Sequence, residues 1–437
     1  MLKLKLERQV KWSIYLFAMA LSFRITIAWV VLIVGIILWL ASKFASAQRI
    51  RNLFTAEGNL SLAENSLKNS PQAGFRIALG PLSLSIAIYS LAIAISGCGR
   101  PKATFGPLTL REVLISLETL RSIIVYFWAF DIFKSFPQYR LPAVLFMLVT
   151  AGLGGLVAAV QQIFNWHPWS HAYLQGTGFL SEPMAFSGVM QIFSLIAFGL
   201  WITSGYRCLK PPFNNGLIFL LLVLANFAGL IFASERGAWL GFACTALIAS
   251  SFVSWQVFWR NLLNSAIALL SAWFFIPVLR QRLQPLLSGH FDAGLVSRIK
   301  IWRIAFEEFL KSPITGIGTT RFPHIEAASA TEIGKPYLAH AHNNVLQLLA
   351  TAGLIGLGSY LFVIGSAITA AYKHFAKNTT PVSTFLSFRQ RGERGIAIGL
   401  LAAIISLTLA GLTEYNFGTG QVRLALWFAL ALLASES

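Results

Sequence analysis

HAHNNVLQLLATAGLIGL, residues His340–Leu357, decides how this chain is read. Two imidazoles and two carboxamides stand directly before an apolar run that carries small residues and continues to about Tyr372. A stretch of about 20 apolar residues crosses a bilayer as an α-helix. A buried apolar helix has no need of four polar side chains at its mouth, whereas a reactive site at a membrane surface does. SERGAWLG, Ser234–Gly241, repeats the arrangement with a cation at the mouth of a second apolar run.

Composition agrees with a membrane setting. The 437 residues are 56% hydrophobic and 11% charged, where a soluble domain carries about 25% charged residues. Lys and Arg number 34 against 16 acidic residues, a net charge of +18. In a soluble protein that surplus would suggest nucleic acid. Here the cations cluster between apolar spans, so they set topology and meet anionic headgroups, and no nucleic-acid partner is expected. Cys98, Cys208 and Cys244 are scattered with no metal-ligand spacing. Lys3, Lys5, Arg8 and Lys11 precede an apolar region, and Ala45-Ser46-Ala47 mimics a cleavage site. The apolar region runs from about 12 to 42, too long for a signal sequence, and reads as a retained anchor.

Working outward, apolar spans fall near 78–98, 113–134, 141–163, 183–206, 215–234, 236–254, 260–279, 344–372, 395–412 and 420–435. Region 12–42 contains Arg24 and forms one long helix or a hairpin of two. Charge favours the hairpin. With about 12 spans, the basic segments 1–11, 43–77 and 373–394 share the cytoplasmic side; with one span fewer, 373–394 moves across. The expected fold is therefore all-α, a single polytopic integral membrane domain over 1–437. Its largest outer loop, 280–341, lies between the ninth and tenth spans. Within it Leu295, Ile299, Trp302 and Phe306 follow a helical spacing beside Arg298, Lys300 and Arg303, which predicts a surface helix near 295–311. Pro313, Gly316 and Gly318 end it.

The chemistry-bearing candidates gather at span ends. Arg236 opens a helix behind Ser234, a plausible N-cap. A helix N-terminus attracts anions, and the guanidinium fork matches phosphate oxygens in pairs. The bland alternative is an interfacial Arg, or one paired with Glu235. Arg298, four residues before Trp302, shares a helix face with it and could reach a phosphate at the membrane plane. Trp302 and Arg303 are candidate substrate contacts on the same helix. His342, at the start of the 344–372 span, suits a general base. His340 is the second choice, and on a helix the two could not face the same way. Asn343 and Asn344 are substrate contacts or helix caps. Inside the 113–134 span, Glu118 and Arg121 lie three residues apart, with Asp131 further on. Charges there are costly, so they form an ion pair or, in the case of Arg121, touch substrate. Glu414 and Asn416, in TEYNFGTG, are candidate sugar contacts. His167 and His171 have metal-like spacing, but Pro168 and the lack of a third ligand argue against a metal.

In order, SERGAWLG (234–241), SRIKIWRIAFEEFLKSPITGIGTTRF (297–322) and the 340–357 block resemble the O-antigen ligase and polymerase superfamily of bacterial membrane glycosyltransferases. The resemblance covers most of the chain from about residue 140. It implies a fold of the GT-C-like kind. It carries the family's two phosphate-facing arginines onto Arg236 and Arg298, and its catalytic histidine onto His342. The family's Pro-Asn pair is replaced by Pro183-Met184. The implied reaction moves a glycan from undecaprenyl diphosphate to a sugar hydroxyl of lipid A–core, inverting and without metal or other cofactor. The implied location is the bacterial inner membrane, multi-pass, with the site facing the periplasm. A polymerase extending polysaccharide on the lipid carrier is the rival within this class. A transporter of the inorganic-carbon-uptake kind is the rival outside it; that reading needs polar sites near the midplane, whereas these lie at one face.

Overall fold

The computed structural model describes residues 2–57, 78–97, 110–168, 175–204, 215–275, 293–323, 340–377 and 388–435, with isolated positions between 280 and 325. Cys98, Cys208, His171 and residues 326–339 of the 280–341 loop lie outside the described residues, as do the side chains of Glu118 and Leu295. Among the described residues the chain is helical, with no strand. The helices are α1 (Leu2–Ala20), α2 (Ile25–Glu57), α3 (Ser83–Gly97), α4 (Leu110–Ser135), α5 (Arg140–Phe164), α6 (Pro183–Ser204) and α7 (Asn215–Phe232). They continue with α8 (Arg236–Ser251), α9 (Trp255–Phe275), α10 (Ala293–Lys311), α11 (Asn344–Lys377), α12 (Phe388–Ala410) and α13 (Gly420–Ala434).

Five of the described segments are long and apolar enough to cross a membrane: Ile25–Ala45, Pro137–Phe164, Pro183–Thr203, Asn344–His374 and Gln390–Ala410. Ser83–Ser96, Leu217–Phe232 and Gly420–Ala434 are apolar but shorter. The chain is a multi-pass membrane protein. Region 12–42 is not one helix: α1 and α2 turn at Leu21–Arg24 and pack against each other.

The centre of the bundle is α6 and α13. The α6 span is 94% buried inside the protein, and every residue from Leu424 to Ala434 of α13 is buried. α12 lies along α6, α5 along α7, α13 along α4, and α3 along α11. Helices in lipid gain little from apolar burial alone, so close backbone approach carries the packing. Gly199 and Gly399 supply it where α6 meets α12: a Cβ on Gly199 would stand 2.2 Å from the Gly395 carbonyl oxygen.

The charges inside the 113–134 span resolve in part. Asp131 is 2% exposed. It pairs with Lys43 of α2 at 2.7 Å and accepts hydrogen bonds from Trp39 Nε1 at 2.7 Å and the Ala78 amide at 3.0 Å. Asp131 therefore ties α2 to α4. Arg121 lies with its guanidinium carbon 4.2 Å from the Trp29 ring centroid, a cation–π contact with α2.

α11 is broken at Gly353, whose φ of 63° and ψ of −161° leave the helical region. The break frees backbone groups on both sides, and the Pro313–Gly318 turn after α10 takes them up. Ile317 and Gly318 amides donate to the Ala350 and Thr351 carbonyls at 2.9 Å each, and the Leu354 amide donates to the Pro313 carbonyl at 2.8 Å. Gly316 is at φ 67° and Gly318 at φ 103°. The Pro-x-x-Gly-x-Gly block thus docks backbone to backbone onto a membrane helix and fixes α10 against α11.

Candidate active site

The site forms where three helix ends and one turn meet. α11 begins at Asn344, and Asn343 caps it: its Oδ1 accepts the Val345 and Leu346 amides at 2.9 and 3.0 Å. Its Nδ2 donates to the Leu412 carbonyl at 2.8 Å, so the whole Asn343 amide is engaged. Gln347 reaches back and accepts the Ala341 amide at 2.7 Å. The Asn344 Nδ2 donates to Asn416 Oδ1 at 2.7 Å, and the Asn344 amide donates to the Gly411 carbonyl at 2.6 Å. The turn 411–419 between α12 and α13 is thereby bound to the head of α11.

That binding shapes the histidines. Neither is on the helix, which corrects the helical reading of this pair. His342 has φ 47°, a left-handed conformation, and with no helical phase to separate them the two rings stand 4.3 Å apart, edge to face. His342 Nδ1 lies 3.0 Å from Glu414 Oε2. The other carboxylate oxygen of Glu414 is ion-paired with Arg298 Nη2. Trp302, on the same side of α10, donates from Nε1 to the Ala341 carbonyl at 2.9 Å. Arg298 and Trp302 thus converge on one junction, as their shared face implied. Arg303 points away and pairs with Glu307 at 2.9 Å on the exposed side. The apolar positions of α10 divide: Ile299 and Phe306 are exposed, Trp302 turns to the junction, and Ile301 and Ala305 pack inward.

α8 closes the cluster. A Cβ on Gly237 would stand 2.5 Å from Thr413 Oγ1 and 3.7 Å from Glu414 Cγ, so the first turn of α8 rests on the turn that carries Glu414. Arg236 is the first residue of that helix. Ser234 is not its N-cap. The cap position is Glu235, without a side-chain cap bond, and Ser234 sits at φ 62° with its hydroxyl turned back to the Phe232 carbonyl at 3.3 Å. Arg121 is the sequence candidate that the structure does not bring to this junction, held as it is over Trp29 on α2.

Glu414 is 6% exposed. Burial alone would raise its pKa; the hydrogen bond with His342 and the charge of Arg298 outweigh burial and hold it below the ordinary carboxylate range, as an anion. His340 goes the other way. Burial, with His342 adding to it, lowers its pKa to about 4 from 6.5. His340 is a neutral imidazole at neutral pH, packed 5.5 Å from the Tyr415 ring. The arrangement therefore offers a cationic fork, a carboxylate-bound imidazole and a helix N-terminus on one side of the membrane bundle. Sequence reasoning placed Glu414 at a sugar, not between His342 and Arg298, and it missed Gln347 and Gly237. Only the shortness of TEYNFGTG, which leaves Glu414 close to two helix ends, pointed toward a central place for it.

Residues 218–361 match the family model described as O-Antigen ligase. This match spans about a third of the chain and supports its resemblance to the O-antigen ligase superfamily. The matched residues include Arg236, Arg298 and His342, and Glu414 lies beyond them. A Rickettsia conorii protein named "Putative polysaccharide ligase" is similar, with 29% identity over 109 residues. That similarity covers 23% of this chain and 26% of the relative, so the chain spans about a quarter of the length of the curated relative it matches.

Proposed function

We propose that this junction is the active site of a ligase-type membrane glycosyltransferase. The observation that carries the reading is the convergence of Arg298, His342 and the Arg236 end of α8 on the Glu414 turn. The donor is a glycan on undecaprenyl diphosphate. Its leaving group is a diphosphate of low basicity, which needs charge stabilisation more than a proton. Arg236, at the positive N-terminal end of α8, and Arg298 supply that charge. Arg298 has five N–H donors, and Glu414 occupies one nitrogen, so the fork keeps donors for phosphate oxygens.

The acceptor is a sugar hydroxyl, on lipid A–core in a ligase. His342 takes its proton as the hydroxyl oxygen attacks the anomeric carbon and the carbon–oxygen bond to the diphosphate breaks. Attack opposite the leaving group inverts the anomeric centre. Trp302 and His340 stand beside His342 and contact the substrate, and Asn343 acts through the backbone it caps. The positive-inside distribution of Lys and Arg supports a plasma-membrane chain with this junction on the periplasmic face. The exposed Ile299 and Phe306 of α10 then lie against lipid, with Lys300 and Arg303 at headgroup level.

Transfer by purified protein in detergent, from lipid-linked donor to lipid A–core, tests the proposal. Product with the native chain, lost in His342→Ala and Arg236→Ala, is the expected result. Polymer growing on the lipid carrier, with bare lipid A–core, would move the assignment to a polymerase. Folded protein that transfers to neither acceptor would refute the transferase reading.

A further inference from the structure

We infer that Glu414 is the positioning residue of this site: it fixes which nitrogen of His342 is free and holds Arg298 beside it. The inference rests on the reading that His342 is the base, and it goes on to say how that base is prepared.

The argument is one of donors and acceptors. An ionised carboxylate accepts hydrogen bonds and donates none. Glu414 is buried, anionic and in contact with two partners through separate oxygens, Oε1 to Arg298 and Oε2 to His342 at 3.0 Å. The hydrogen between Glu414 and His342 therefore belongs to His342 Nδ1. A neutral imidazole with a proton on Nδ1 has its lone pair on Nε2, and that is the nitrogen able to take a hydroxyl proton. The backbone reinforces the choice. His342 sits at φ 47°, a conformation that costs about 1 kcal/mol or more for a non-glycine residue and persists where the surroundings over-determine it. The surroundings here are the Asn343 cap, the Gln347–Ala341 bond and the Trp302–Ala341 bond on either side of the ring.

The groups facing His342 are Glu414 from the 411–419 turn, Arg298 from α10 and His340 from its own strand of chain. Arg236 begins the helix packed on the Glu414 turn. Of these only Glu414 is negative. It favours the imidazolium after proton transfer, opposing two arginines, and it keeps Arg298 within reach of the same substrate. When Arg298 grips a phosphate, Glu414 remains on His342, so the two halves of the reaction share one anchor.

The test uses Glu414→Gln and Glu414→Asp in the full-length protein, with two independent readouts. The first is the histidine tautomer, read by nitrogen NMR on ring-labelled protein. The native chain is expected to show one histidine protonated on Nδ1 at neutral pH, assigned to His342 by its loss in His342→Gln; Glu414→Gln is expected to lose that preference. The second is the rate of transfer. Losing the carboxylate that orients the ring and holds Arg298 is expected to lower kcat about 100-fold in Glu414→Gln, and Glu414→Asp is expected to restore part of both the tautomer and the rate. A tautomer unchanged in Glu414→Gln, or a kcat within threefold of native, overturns the inference. Because the tautomer needs no turnover, a native chain without transfer activity would sink the proposed function while leaving the Glu414 contact to be judged on its own.

Discussion

Replacing Gly316 by alanine should unlatch α10 from the bundle, and the size of the effect can be worked from the contact itself. Gly316 holds φ 67°, and a Cβ there would stand 2.3 Å from the Thr351 carbonyl carbon and 2.4 Å from the Ala352 nitrogen. Those are backbone atoms of α11 and cannot turn aside. Ordinary contact needs the turn to lift by about 1 Å, which breaks the 2.9 Å bonds from Ile317 to Ala350 and from Gly318 to Thr351. Two lost hydrogen bonds at about 1 kcal/mol each, with about 1 kcal/mol for the left-handed alanine, make a loss of about 3 kcal/mol. Gly365→Ala is the matched control: nothing lies within 4 Å of a Cβ there, so the same change in a helix interior should stabilise by about 0.5–1 kcal/mol. Unfolding of both variants in mixed micelles by detergent titration reads the difference. Transfer activity should also fall in Gly316→Ala, because Arg298 rides on α10 and a misplacement of about 1 Å can cost about 100-fold. A Gly316→Ala protein within 0.5 kcal/mol of native would refute the latch.

Asn343→Ala removes the α11 cap and should cost about 1 kcal/mol of stability; unfolding measurements would show this, and the pH profile of transfer should keep its shape, since no charge is lost. Asp131→Ala strands Lys43 and Trp39 in the interior and should cost about 3 kcal/mol, measured in the same titration, with the transfer rate of the folded fraction unchanged because Asp131 ties α2 to α4 away from the junction. His340 gives a pH dependence. Its pKa is about 4 when folded against 6.5 as the reference value, so the unfolded chain binds a proton that the folded one refuses. Stability should therefore fall as pH drops from about 6.5 to about 4 and level off below. His340→Gln should flatten that limb, and an unchanged limb would assign it to other groups.

The multi-pass helical character was legible because it follows from composition and run length, which local sequence carries in full. The hairpin at Leu21–Arg24 was legible only through charge balance, since 12–42 is apolar throughout and nothing but Arg24 marks a turn. Neither device that fixes α10 was legible. The break at Gly353 hides inside a run that reads as a continuous helix, because a glycine there is equally consistent with close helix packing. Its partners, Gly316 and Gly318, looked like helix terminators rather than a strap across α11. The periodicity grouped Ile299, Trp302 and Phe306 on one stripe of α10, but periodicity does not say which of them meets protein: Trp302 turns to the junction, Ile299 and Phe306 are exposed, and Ile301 and Ala305 carry the inward packing.

The site shows the same division more sharply. Arg236 and His342 stood out as candidates because each stands at an apolar boundary where a charge or imidazole is out of place, and Arg298 because it shares a helix face with Trp302. Glu414 was undervalued because its importance comes from contacts across 116 and 72 residues of chain, to Arg298 and His342, and no local pattern encodes such a distance. Ser234 was misassigned for a related reason. As a serine before a helix it has the composition of a cap, yet its φ of 62° turns the hydroxyl back toward Phe232. His342 and Ser234, both non-glycine residues at positive φ, each lie two residues before the first residue of a helix that the junction uses, α11 and α8. Such a turn delivers a polar residue to the mouth of a helix without making it part of the helix, so its side chain is aimed by tertiary contacts and not by helical phase. That is the physical reason helical spacing separated His340 from His342 in the sequence while the folded chain sets their rings 4.3 Å apart.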